Sequence, residues 1–95
     1  LRGGFRCSIH HHRLKDETFY VVSGRMLLEV GMDPEILEKI VLETGDRFTL
    51  EPGMWHRFTG IEDTTFFEFS TKDRASDSIR HTQSEKVPDN EWPVV

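Results

Sequence analysis

The chain has 95 residues, 36% hydrophobic and 11% aromatic, which suits one domain around one core and leaves no room for a second. Twelve Lys plus Arg against seventeen Asp plus Glu give a formal net charge of −5, with the basic residues scattered singly, so the clustered positive charge that a nucleic-acid partner requires is missing. Cys7 is the only cysteine and no apolar run approaches the roughly 20 residues that cross a bilayer, so a secreted disulfide scaffold and a membrane span are both set aside and a reducing cytoplasm is expected.

Short β-favouring runs separated by turn residues occupy the first seventy positions. The first covers residues 5–12 and contains His10-His11-His12. Strand alternation puts His10 and His12 on one face, with Arg6 and Ser8, and turns His11 to the other. A polar connection, residues 13–16, leads to the strand 18–23, whose entry carries Glu17. On it Glu17, Phe19, Val21 and Ser23 share a face and Tyr20 points away, unless a bulge reverses it. Ser23-Gly24 then allows a tight turn into the strand 25–30.

Residues 34–43 have nearly helical apolar spacing, but turns on both sides favour a strand from about Glu38. Further strands are predicted at 47–50, 56–58 and 64–70, after turns at Gly45-Asp46 and Pro52-Gly53. Met54, His56 and Phe58 share one face. Glu68 stands alone in the apolar run 65–69, either on a wet face or as a general base. From Thr71 the composition turns polar, which predicts an irregular tail, residues 71–95, held to the barrel by Trp92.

His10, His12, Glu17 and His56 offer three imidazoles and one carboxylate. Such a set suits one divalent transition ion among Zn²⁺, Mn²⁺, Fe²⁺, Ni²⁺ and Co²⁺, and is too rich in nitrogen for Ca²⁺ or Mg²⁺. Bound by four protein ligands, an octahedral ion keeps one or two positions for water or substrate oxygen.

The spacing of these residues resembles the first motif of the cupin superfamily: Gly4, five residues, His10-x-His12, four residues, Glu17, six residues, Gly24. The second motif is matched by Gly45, Pro52-Gly53-x-x-His56 and Gly60, with Pro and Gly adjacent rather than one apart and Gly60 in place of the usual Asn. The resemblance implies an all-β fold, a double-stranded β-helix or jelly-roll-like barrel over residues 1–70, with the tail packed on it.

Residues 18–24 (TFYVVSG), Trp55-His56-Arg57-Phe58 and Asp77-Ser78-Ile79-Arg80 are similar to small cupins grouped with sugar isomerases, including the C-terminal module of type II mannose-6-phosphate isomerases. This implies a metal-dependent isomerase or epimerase of a small sugar or sugar phosphate, with Glu68 moving the proton and Arg6, Tyr20 and Phe58 against the substrate. Arg80 reads as a solvated surface charge. The alternatives are an iron-dependent dioxygenase and a non-catalytic ligand-binding or regulatory module. A homodimer through open sheet edges is expected, and a chain opening on Leu1 fits a piece of a longer protein.

Overall fold

A computed structural model describes residues 1–13, 16–70 and 78–95. The connection through Leu14 and Lys15, and Asp77 of the tail resemblance, lie outside the described residues. Ten strands follow in chain order: β1 Phe5–Arg6, β2 His10–His12, β3 Glu17–Ser23, β4 Arg25–Asp33, β5 Ile36–Glu43, β6 Arg47–Leu50, β7 Trp55–Gly60, β8 Thr65–Ser70, β9 Ser78–Arg80 and β10 Glu85–Lys86.

They form two sheets. In the larger, β1 and β2 lie end to end along one edge of β7 and β4 runs along the other, with β5 outside β4. β10 and β9 pair with the far sides of β1 and β2. The smaller sheet has the order β6-β3-β8. Phe19, Val21, Met26, Leu28, Val30, Leu42, Leu50 and Phe58 fill the space between the two, as alternating inward positions of a jelly roll should. This is the expected all-β cupin-like architecture, although β8 pairs only with β3 among the described residues, so the barrel is open along that edge.

The segment 36–43 is a strand throughout, beginning at Ile36, because Asp33 pairs with Ile36 across the turn and seats the hairpin earlier than apolar spacing suggests. Gly24 turns β3 into β4 at φ +93°, and a Cβ there would lie 2.3 Å from the Asp63 carbonyl oxygen, so no other residue fits. Gly60 stands under similar constraint: a Cβ would meet the Arg2 carbonyl oxygen at 2.4 Å, where the N-terminal segment crosses the end of β7.

The first strand is not the continuous run its composition suggests. Arg6 pairs with Thr59 and His10 with His56, so four steps on β1–β2 span three on β7. One residue is therefore extra in the stretch 7–9, a bulge that reverses the facing of everything before it. The tail contributes β9 and β10, then a 3-10 turn at Asp89–Glu91. Its attachment rests on Val87, 3% exposed, and on ion pairs to Arg6, whereas Trp92 is 41% exposed and does not serve as the buried anchor.

Candidate metal centre

β2 turns His10 and His12 toward the core side and His11 outward, where its ring packs 4.3 Å from that of Trp55. Across the sheet, His56 of β7 lies opposite His10, with ring centroids 4.3 Å apart. His12 is 5.3 Å from His10 and 5.8 Å from His56 by the same measure. The ligating atoms of the three imidazoles all lie within 4.8 Å of one another. Glu17, at the start of β3, reaches the cluster from the opposing sheet: its Oε1 is 2.9 Å from His12 Nε2 and its Oε2 3.7 Å from His56 Nε2. Residues far apart in sequence thus converge on one point because two sheets face each other.

Protonation is dictated by what each ring touches. His56 Nδ1 lies 3.0 Å from the Met54 carbonyl oxygen and His10 Nδ1 2.8 Å from that of Ser8. A carbonyl only accepts, so both rings carry their proton on Nδ1 and present the Nε2 lone pair to the cluster. His56 is 1% exposed, and its Nε2 has no hydrogen-bond partner among the described residues. Burial pushes His56 down to about 3, with the neighbouring imidazoles adding to the effect, so the ring stays neutral, the form that binds metal. A buried, outward-directed lone pair with nothing to receive is costly unless a cation takes it. The donors present therefore fit a divalent transition ion, which His10, His12 and His56 could hold, with the Glu17 carboxylate beside them.

The floor is aromatic. Phe58, two positions from His56 on the same face, has its ring 5.9 Å from that of His56 and 4.3 Å from Phe19, and Phe66 closes the group. Glu68 pairs with Phe19, as Ser70 does with Glu17, so it leaves β8 on the face that carries Glu17 and sits at the exposed rim.

Two residues expected against the substrate lie elsewhere. Arg6 is on the outer face, because the bulge at 7–9 shifts its parity against that of His10. There it is 8% exposed, donating from Nε to Glu85 Oε1 at 2.8 Å and from Nη1 to Glu91 Oε1 at 3.1 Å. Tyr20 is 43% exposed on the outside of the small sheet opposite Phe67, since the register from Glu17 to Val21 is unbroken and the bulge in β3 comes only after Val21. Arg80 is exposed, as expected of a surface charge, and its strand position lies opposite His10 across β2 and β9. No local pattern could have signalled a contact between strands seventy residues apart.

The sequence profile described as Cupin domain matches residues 1–70. The chain belongs to the cupin family. No curated protein sequence matches this cupin significantly. Its fold is similar to that of KdgF from Halomonas sp., with a TM-score of 0.68 and 25% identity, covering 80% of this chain and 66% of that one. QdtA, a sugar 3,4-ketoisomerase from Thermoanaerobacterium thermosaccharolyticum in complex with TDP, gives 0.73 at 13% identity over 85% of this chain and 61% of its own. CapF, a capsular polysaccharide assembling protein from Staphylococcus aureus, gives 0.72 at 17% identity over 83% of this chain. The cupin spans only 25% of CapF and under two thirds of QdtA. Among the described residues no helix is long and apolar enough to cross a membrane.

Proposed function

We propose that this cupin is a metal-dependent isomerase or epimerase acting on a small sugar or sugar-phosphate-like substrate. The observation that carries the reading is the buried His56 Nε2, without a hydrogen-bond partner among the described residues and gathered with His10 and His12, beside Glu17, below an open rim. A divalent ion held there supplies a Lewis acid for adjacent carbonyl and hydroxyl oxygens of the substrate. Glu68, on the same wall, accepts the proton from the carbon beside the carbonyl and returns it to the neighbouring carbon or to the opposite face. Phe58, Phe19 and Phe66 keep water from the floor of the site, which strengthens the pull of fixed charges on the reacting oxygens. The fold shared with QdtA, a sugar 3,4-ketoisomerase, is one that accommodates such a reaction.

The chain loaded in turn with Mn²⁺, Zn²⁺, Co²⁺ or Ni²⁺ is expected to interconvert an aldose or ketose, or its phosphate, under nitrogen. Turnover retained in His12→Ala, or a requirement for O₂ at an oxygen electrode, rules the reading out. We also propose a homodimer, supported by the edge of β8 that no described strand covers and by Tyr20, Val22, Phe67 and Phe69 exposed beside it. Elution at about twice 11.1 kDa checks it.

A further inference from the structure

The outer and inner faces of the large sheet treat their arginines differently. On the outer face Arg6 is held by Glu85 and Glu91, and Arg57 donates to Glu29 at 3.1 Å. On the inner side stands Arg80. The β2–β9 register pairs His10 with Arg80, His11 with Ile79 and His12 with Ser78. Partners directly opposite in an antiparallel pair leave the sheet on the same side, their Cβ atoms about 4.5–5.5 Å apart. His11 points outward to Trp55, so His10 and Arg80 both leave on the metal side. The pairing is secured by its flank: His81 N donates to the Ile9 carbonyl at 2.7 Å, and Ile9 N donates to Thr82 Oγ1 at 2.7 Å.

We infer that Arg80 is the specificity-determining residue of this site, selecting a sugar that carries an oxyanion, either carboxylate or phosphate. The inference rests on the functional reading above and deepens it. Arg80 is exposed and, among the described residues, no carboxylate pairs with it, so its guanidinium is available to an exchangeable ligand. From a position beside His10, an exposed side chain of this length has the reach to pass the imidazole rim. It therefore meets the far end of a molecule whose near end lies on the ligand cluster. The wall needs such a cation: the chain is acidic overall, and Glu17 and Glu68 share this face, so an anion would be turned away without one. A guanidinium offers two parallel N–H donors to the two oxygens of a carboxylate or phosphate, a match no neutral sugar hydroxyl reproduces.

Three probes that differ only at the sixth carbon test this: glucose, glucuronate and glucose 6-phosphate, titrated calorimetrically into the Mn²⁺-loaded wild type and Arg80→Gln. The expected result is binding of one or both anions to the wild type, weakened at least tenfold in Arg80→Gln, with glucose bound equally by both proteins and Mn²⁺ affinity unchanged. Which anion binds tells phosphate from carboxylate. Arg80→Lys should recover only part of the loss, since an ammonium keeps the charge without the fork. Anion binding changed less than twofold in Arg80→Gln, or no anion binding by the wild type, overturns the inference while leaving the metal reading intact. Should the wild type fail to bind Mn²⁺, the functional reading falls, and the same titrations on the metal-free protein still decide the role of Arg80.

Discussion

The two faces of the large sheet both carry buried ionisable groups, and they resolve the cost of burial in opposite ways. Outside, charges neutralise one another: Arg6 with Glu85 and Glu91, Arg57 with Glu29, arranged around a cleft of about 270 Å³ that the tail walls with Pro93 and Val94. Inside, three imidazoles converge beside the Glu17 carboxylate, and His56 Nε2 has no hydrogen-bond partner among the described residues. The outer ion pairs hold the tail to the sheet, whereas the inner groups bring three imidazoles within reach of a single ion. Burial alone does not separate the two faces; the kind of groups that each gathers does.

The largest expected effect lies on the inner face. His12→Ala removes a proposed ligand, so Mn²⁺ or Zn²⁺ affinity should fall by more than the ~10–100-fold that loss of an outer partner costs, with the apo protein's melting temperature little changed. Equal metal binding by wild type and variant would erase the distinction between the faces. On the outer face the order reverses. Arg6→Met should destabilise the chain by about 1–3 kcal/mol, allowing for the half-exposed partners Glu85 and Glu91, and should leave metal affinity within twofold. Chemical denaturation alongside a metal titration reads both at once.

The faces should also separate in pH. The Arg6 guanidinium holds Glu91 below its ordinary 4.5, so this contact's stability is fully present above about pH 4.5 and is lost as pH falls through the lower folded value. His56 sits at about 3 against 6.5 unfolded, so below pH 6.5 the unfolded chain takes up protons that the folded chain refuses, and the metal-free protein weakens from there downward. Denaturation midpoints followed from pH 8 to 3 should therefore begin to fall near 6.5, with a second loss near 4.5 that Glu91→Gln abolishes. A single inflection at 4.5 would mean that His56 is not held neutral in the folded chain. The smallest effect belongs to Tyr20→Phe, whose hydroxyl faces away from both sets: turnover and metal affinity should stay within twofold.

The strands, their turns and the ligand set were legible because each rests on a short-range rule. Alternation of apolar residues locates β3 through β8, and the four ligand-type residues are recognisable by type and spacing. The facing of Arg6 was not legible, because the bulge at 7–9 changes parity, and one additional residue in a strand leaves no mark on composition. Tyr20 illustrates the reverse: plain alternation turned it outward, and the structure keeps it there. Arg80, read as a surface charge, is exposed in the structure, and what was not legible is the residue it stands beside. Its neighbour His10 is set by pairing between the second strand and the tail, and no local pattern encodes which strand a tail will choose.

β8 joins two properties on one strand: Glu68 on the inner face and a backbone edge that no described strand covers. Any second copy that adds a strand along that edge also raises a new wall beside Glu68 and shields the rim from bulk water. Assembly and catalysis then become linked by mass action. The proposed turnover, per chain, should rise with protein concentration across the proposed dimer's dissociation range and level off beyond it, a dependence that dilution kinetics would show before the substrate's full binding mode is known.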